Sequence, residues 1–188
     1  GLIISSSGKL DKKSPIYDRK RQDLSKELYK YKEIAHTLYY DLCIGGKKSF
    51  SENPGKPFNI SKTDISASLS KEGNVNIKIH DKEFKFNHWP DIAEFLLGKW
   101  FELYTFIQLR KLEKSGLIQD VRIGLELSLD KKSKTSDWQD QLRATFKNTY
   151  QEIDLCFTSN NTLYIIECKS GKKILSNDIN KIENIRRL

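Results

Sequence analysis

Apolar and polar positions near the end of the chain predict a pair of neighbouring β-strands. Residues 155–157 and 163–166 are apolar, and the polar residues 158–162 between them are typical of a turn. Asn tolerates a positive φ, so Asn160 and Asn161 suit the two central positions of a type I′ turn. The segment therefore predicts a tight antiparallel hairpin.

This hairpin brings charged residues to one face of the predicted sheet. In the register of a two-residue turn, Asp154 faces Glu167 and Glu152 faces Lys169, and strand alternation keeps the four side chains on one side. Two opposed carboxylates beside apolar strands are unfavourable unless positive charge neutralises them. Lys169 supplies part of that charge, and a divalent cation, which takes carboxylate oxygens as ligands, supplies more. The alternative is a structural ion pair, since Glu-x-Lys triplets are common at protein surfaces.

The first half of the chain predicts a long helix over residues 15–42, with Ser14 as its N-cap and Pro15 in its first position. Its apolar residues recur every three or four positions as a stripe: Leu24, Leu28, Tyr31, Ala35, Leu38 and Leu42. The stripe is either a packing face or a dimer seam. Packing is favoured because the repeats are too few for a coiled coil, and a homodimer stays an option.

A β-meander follows this helix. Three short runs alternate apolar and polar positions: residues 65–69, 75–79 and 84–86. Gly73 and residues 80–82 mark the turns between them. The pattern predicts an antiparallel meander with one solvated face. Residues 1–89 are therefore predicted to form a basic helix and β-hairpin domain, which resembles a winged-helix module or a linker region.

A second long helix is predicted from Pro90 to Lys114, ended by a following glycine. Residues 100–107 are apolar almost all round, which predicts burial, and Glu102 is the acid among them. Gly98 lies one turn earlier on the same face, where it leaves room for a metal ion or a phosphate beside Glu102. The alternative is close packing of the helix on a sheet, with Glu102 paired to a buried Lys or Arg.

The order of these elements carries a family resemblance. A strand is predicted at residues 121–129, then the hairpin with Asp154 and Glu167-x-Lys169, then a short last helix near residues 177–187. This order resembles the PD-(D/E)xK nuclease superfamily. Three runs are also similar to the nuclease half of CRISPR ancillary nucleases with a CARF sensor: residues 98–104, 151–154 and 165–171.

The resemblance implies both a fold and an activity. The fold is α/β (α+β), a restriction-endonuclease-like mixed sheet flanked by helices over residues 90–188. The activity is that of a metal-dependent endonuclease, with Mg²⁺ or Mn²⁺, that hydrolyses phosphodiester bonds of DNA or RNA in defence against foreign nucleic acid. Two features depart from the pattern. No proline precedes Asp154, and residues 1–90 lack the strand–helix alternation of a sensor domain.

Within the resemblance, the central residues take defined roles. Asp154 and Glu167 bind the metal ion together with the carbonyl of Cys168, and Glu102 matches an additional acidic ligand that many members carry. Lys169 orients the attacking water or helps to deprotonate it, and stabilises the negative charge that develops on the phosphate.

Further residues support this predicted site. Glu152 pairs with Lys169 or binds the metal through water. Three lysines are candidate contacts to the phosphate backbone: Lys99, Lys172 and Lys173. Such contacts would contribute affinity without sequence specificity.

Composition and charge narrow the class of protein. The chain carries 33 Lys and Arg against 25 Asp and Glu, a net charge of +8 that lies mostly in the first 90 residues. A basic surface beside an acidic pocket suits nucleic acid, although a Lys-rich composition alone is the alternative. No apolar run reaches the length of a membrane span, and three cysteines without ligand spacing favour a reducing, cytoplasmic compartment.

A second class of function stays open at this point. The same acids and lysine would also serve a non-catalytic nucleic-acid-binding or assembly module, in which the cluster is a structural salt-bridge network.

Overall fold

The described residues form two four-stranded sheets and several helices, which confirms the predicted α/β class. In this computed structural model the described residues are 2–6, 18–39, 58–59, 64–129, 151–170 and 174–186. The chain divides into two compact units: Lys13–Thr105, and Gly1–Lys12 together with Phe106–Leu188. Compact units and sequence domains need not share limits, so the domains 1–89 and 90–188 stay a prediction.

The predicted first helix is divided into two helices. In the unit Lys13–Thr105, α1 (Arg19–Lys30) begins after Asp18, whose carboxylate accepts a backbone N–H of the first turn at 2.9 Å. At Tyr31 the backbone leaves helical geometry, with φ −119° and ψ 42°, and α2 (Lys32–Tyr39) follows. The predicted continuous helix is therefore wrong, because Asp18 is extended and caps α1, and because Tyr31 interrupts the run between α1 and α2. The predicted N-cap and end lie outside the described residues.

The apolar stripe of these helices is a packing face. Its described aliphatic members are at most 2% exposed: Leu24, Leu28, Ala35 and Leu38. This burial confirms the packing interpretation of the stripe. The homodimer stays a prediction.

The predicted meander is confirmed. Four antiparallel strands follow one another in the sheet: β2 (Phe58–Asn59), β3 (Ile65–Leu69), β4 (Val75–Ile79) and β5 (Lys82–Phe86). Gly73, with φ +84°, and His80, with φ +53°, lie in the turns where the sequence predicted them. Alternate residues of β3 and β4 are buried, as expected of a sheet with one solvated face.

The predicted second long helix contains a π-helical turn. It consists of three consecutive elements: α3 (Trp89–Glu94), the π turn (Phe95–Lys99) and α4 (Trp100–Lys114). Gly98 lies in the π turn, where its low helix propensity eases the departure from α-helical geometry. Trp100 and Leu103 are buried, whereas Phe101 and Tyr104 are half-buried, so the burial is one-sided. Among the described helices, none is both long and apolar enough to cross a bilayer.

The second sheet belongs to the unit of Gly1–Lys12 and Phe106–Leu188. Its strand order is β1-β6-β7-β8, and all described pairs are antiparallel. The strands are β1 (Leu2–Ser6), β6 (Gln119–Leu129), β7 (Gln151–Ser159) and β8 (Thr162–Ile166), and α5 (Ser176–Arg186) follows them. β7 is thus a central strand, with β6 and β8 as its neighbours.

The hairpin of β7 and β8 has the predicted register. Ser159 pairs with Thr162 and Leu155 pairs with Ile166, as a two-residue turn requires. Asn160 and Asn161 have φ values of 50° and 57°, which are those of a type I′ turn. Local turn chemistry therefore fixes which residues of the two strands face each other.

This turn gives a first testable prediction. Replacing Asn161 by glycine should raise the free energy of unfolding by about 0.5 kcal/mol, because glycine has no Cβ to strain a left-handed backbone. Replacing it by alanine should lower that free energy by about 1 kcal/mol. Urea denaturation of the two variants and the original chain measures both changes, and a destabilising glycine would contradict the turn type.

A hydrophobic cluster anchors the central strand on one face of the sheet. Leu155 of β7 is fully buried against Leu109 of α4 and against Ile118 and Val121. Since successive side chains of a strand point to opposite faces, Asp154 is directed away from this cluster. The packing on one face therefore determines the side on which the acid lies.

Candidate active site

Asp154 is a buried acid in the middle of a central strand. It is 7% exposed, and its Oδ2 accepts the backbone N–H of Cys168 at 2.7 Å. A hydrogen bond between a backbone N–H and a carboxylate stabilises the charged form of the acid. The bond also ties the segment that follows β8 to β7, so Asp154 lies beside the residues of the predicted Glu-x-Lys motif.

Glu167 and Lys169 lie directly after β8, which ends at Ile166. The Glu167 side chain is 7% exposed, and its Oε1 lies 2.8 Å from the Lys169 Nζ. The strand pairing predicted for Glu152 with Lys169 extends beyond the described ladder and stays a prediction. The structure therefore brings Asp154, Glu167 and Lys169 to one place, as the register predicted.

Two residues of α5 complete this group, and sequence analysis did not identify them. The Lys169 Nζ lies 3.1 Å from Asp178 Oδ1, and the Lys181 Nζ lies 2.6 Å from Glu167 Oε2. Asp178 and Lys181 are three residues apart, which places them on one face of the helix. We call Asp178, Lys169, Glu167 and Lys181 the charge network. Their spacing along the helix shows that they share a face, but it does not indicate which residues of another element that face contacts.

The charge network changes two pKa values. The hydrogen bond to Glu167 raises the pKa of Lys169 above its ordinary value, against the effect of burial and with the help of Asp178. The backbone N–H of Leu175, 2.9 Å from Asp178 Oδ2, lowers the pKa of Asp178, and the Lys169 ammonium lowers it further. Lys169 is therefore an ammonium at neutral pH. It donates hydrogen bonds and has no lone pair with which to take a proton from water.

Glu102 and its neighbours belong to the other compact unit. Glu102 is 9% exposed, and its Oε2 lies 3.1 Å from the Nζ of Lys99, whose side chain is 40% exposed. Glu102 is therefore paired to a lysine, but to a half-exposed one and not to the buried partner of the alternative. Gly98 lies in the π turn one helical turn earlier. The metal-binding role of Glu102, the spacing role of Gly98 and the phosphate contact of Lys99 stay predictions.

The other supporting residues have different outcomes. In the β6–β7 register Glu152 lies opposite Glu126. Its Oε1 lies close to Gly124, at 3.8 Å from the position that a Cβ would take there. Its role as a water-mediated ligand stays a prediction, as does that of the Cys168 carbonyl. Lys172 and Lys173 lie outside the described residues.

A divalent cation such as Mg²⁺ needs oxygen ligands, which acidic side chains supply. Within residues 2–6, 18–39, 58–59, 64–129, 151–170 and 174–186, no group of three or more His, Cys, Asp or Glu side chains is arranged to hold a metal. Mg²⁺, however, is usually held by one or two carboxylates and keeps several waters. Asp154 and Glu167 are hard oxygen donors. Asp154 accepts the N–H of Cys168, the residue next to Glu167, and both oxygens of Glu167 bond to ammonium groups. Two carboxylates are chemically suited to a hydrated cation, and Asp154 and Glu167 as its ligands stay a prediction.

A protein family and a solved structure are similar to this chain. The model of the family described as Card1-like, endonuclease domain, matches residues 91–188. No curated protein matches the sequence. A solved structure, Can2 from Sulfobacillus thermosulfidooxidans in complex with cyclic tetra-adenylate, matches with 19% identity and a TM-score of 0.46. That match covers 90% of this chain and 42% of Can2, so the chain spans less than half the length of that protein.

Proposed function

The chain belongs to the Card1-like endonuclease-domain family, and from this premise we propose that it is a divalent-metal-dependent nuclease that hydrolyses phosphodiester bonds of DNA or RNA. The family match confirms the resemblance to nucleases that the motifs indicated. The observation that carries the proposal is the convergence of Asp154, Glu167 and Lys169 at the end of the β7–β8 hairpin. A role in defence against foreign nucleic acid is part of the same proposal.

The residues of the site divide the chemical work. A bound Mg²⁺ or Mn²⁺ would polarise the phosphate and lower the pKa of a bound water. Asp154 and Glu167 supply the negative charge that holds the cation. Lys169 donates hydrogen bonds that orient the attacking water and stabilise the charge of the transition state.

Asp178 has a positioning role in this scheme. Its carboxylate lies 3.1 Å from the Lys169 Nζ and is itself fixed by the backbone N–H of Leu175. A lysine side chain has four rotatable bonds, and a second carboxylate partner restricts where its ammonium points. Asp178 therefore keeps Lys169 beside Glu167.

A specific observation also supports the second class of function. Glu167 is bonded to Lys169 and to Lys181, as expected of a structural salt-bridge network in a binding module. In that case, substitutions in the charge network should change the stability of the fold, and neither the variants nor the original chain should cleave nucleic acid. The two functions therefore differ in whether the unaltered chain cuts nucleic acid.

The proposal is tested by incubating the chain with single- and double-stranded DNA and RNA. Each substrate is labelled at one end and incubated with Mg²⁺, with Mn²⁺, or with a chelator. Cleavage of at least one substrate with metal, and its loss in chelator, is the expected result. A folded chain that binds the substrates and cuts none of them with either metal would favour the binding module.

A further inference from the structure

Each oxygen of the Glu167 carboxylate bonds to a different ammonium group. Its side chain is 7% exposed, its Oε1 lies 2.8 Å from Lys169 and its Oε2 lies 2.6 Å from Lys181. Lys169 is shared with Asp178, so Lys181 supplies positive charge that the buried Glu167 carboxylate needs when no cation is bound. The Lys181 ammonium therefore occupies the position that a metal ion on Oε2 would take.

The two lysines are held to different extents. Lys169 contacts both Glu167 and Asp178, whereas the described ion pair of Lys181 is to Glu167. Asp178 in turn is fixed by a backbone N–H. Lys181 also helps to lower the pKa of Asp178 through space, but its direct ion pair among the described residues is to Glu167 alone. When it leaves Glu167, Lys181 therefore gives up fewer direct contacts than Lys169 would.

A cation on Glu167 would act directly against Lys181. The Lys181 Nζ is 2.6 Å from Glu167 Oε2, so a divalent ion bound to that oxygen would lie within a few ångströms of an ammonium and repel it. The Lys181 side chain is 27% exposed, and a flexible lysine stem can turn its head group towards water. An ammonium displaced in this way stays close enough to contact a substrate phosphate.

We propose that Lys181 is the resident counter-ion of Glu167 and gives up this position when a divalent cation binds, while Asp178 keeps Lys169 in place. The inference rests on the proposed function, because it concerns the carboxylates that would hold the metal. It assigns to Lys181 an effect on the metal affinity of the site, exerted by competition for the Glu167 carboxylate.

The test measures metal binding in the absence of nucleic acid. The full chain and its Lys181→Gln variant are titrated with Mn²⁺, and free Mn²⁺ is followed by electron paramagnetic resonance. Removing the competing charge should lower the dissociation constant for Mn²⁺ by about tenfold, since like charges at this distance repel strongly in a partly buried site. Circular dichroism and the thermal midpoint establish that each variant is folded.

Two control variants separate charge at this position from charge in general. Lys181→Arg keeps the positive charge beside Glu167 and should bind Mn²⁺ as the unaltered chain does. Lys111→Gln removes one charge from an exposed lysine whose Nζ bonds to Gln108, and should also leave the dissociation constant unchanged. Asp154→Asn should weaken binding in both backgrounds and thereby locate the titrated ion.

Each outcome decides the inference. Tighter Mn²⁺ binding by Lys181→Gln alone supports it, and equal or weaker binding by that variant overturns it, as does the absence of binding to both proteins. Nuclease assays on the same preparations keep the proposed function separate. A chain that binds Mn²⁺ with the expected pattern and cuts no nucleic acid refutes the nuclease proposal and leaves the role of Lys181 intact.

Discussion

Replacing Asp154 by asparagine should lower the rate of cleavage by roughly 10²- to 10³-fold or more, the usual effect of removing one preorganised electrostatic group from an active site. The change removes the negative charge of a buried side chain that lies beside the Glu-x-Lys motif. The fold should persist, because the asparagine amide oxygen can still accept the N–H of Cys168. The loss of charge in that hydrogen bond should cost about 1 kcal/mol of stability.

Single-turnover cleavage at saturating Mn²⁺ is the appropriate measurement, because it separates the chemical step from product release. Asp120→Asn is the matched control. Asp120 lies on the neighbouring strand β6, is exposed and has a φ of 53°, which asparagine tolerates. This control should cleave at the original rate. An Asp154→Asn variant that cuts at a rate within about threefold of the original chain would show that Asp154 is not part of the active site.

The sequence predicted the hairpin of the site because short-range physics determines it. Asn160 and Asn161 impose the turn, and the turn imposes the register, whose last described pair is Leu155 with Ile166. The next residues along the two strands are Asp154 and Glu167, and the N–H of Cys168 bonds to Asp154. Each step needs only residues that are close along the chain. The same reasoning predicted the meander strands and the burial of the first helical stripe.

Other features depend on contacts that no local pattern encodes. β1 pairs with β6, so that Leu2 lies opposite Leu129, and nothing near the first residues indicates this partner. The break at Tyr31 and the π turn around Gly98 interrupt runs whose apolar periodicity is compatible with one continuous helix. Periodicity reports which face is buried and is insensitive to one irregular turn.

The charge network was predicted from the sequence only in part. Glu167 and Lys169 were predicted from their position after an apolar strand, whereas Asp178 and Lys181 come from the last helix, of which the sequence analysis predicted only the approximate bounds. Ile179 and Ile182 of that helix are 56% and 43% exposed. Side-chain pairing across separate elements follows from tertiary packing, which the spacing of a single helix does not specify.

The charge network predicts how Lys169 acts, and substitutions of this residue test it. Lys169→Met should lower cleavage by about 10³-fold, whereas Lys169→Arg should keep activity within about tenfold of the original chain, because a fixed positive charge is what the site requires. The reason is the raised pKa of Lys169, caused first by its hydrogen bond to Glu167 and supported by Asp178. A general base must lose its proton, and an arginine cannot do so in proteins.

The pH dependence follows with a definite sign. A lysine whose pKa is raised in the folded chain keeps its proton as the pH rises past the ordinary value of about 10.4. Cleavage by the original chain should therefore show no ascending limb from Lys169 between about pH 7 and pH 10. Lys82→Met is the control for the loss of a lysine, and it should leave the rate of cleavage unchanged. The pKa of Lys82 is also raised by a glutamate, Glu27, but both residues belong to the other compact unit. The electrostatic role argued from the network would be wrong if two results occurred together: Lys169→Arg as inactive as Lys169→Met, and an original rate that rises across this range at a pH that does not move when Mg²⁺ replaces Mn²⁺. Such a rise would belong to Lys169 and not to a metal-bound water, whose pKa depends on the metal.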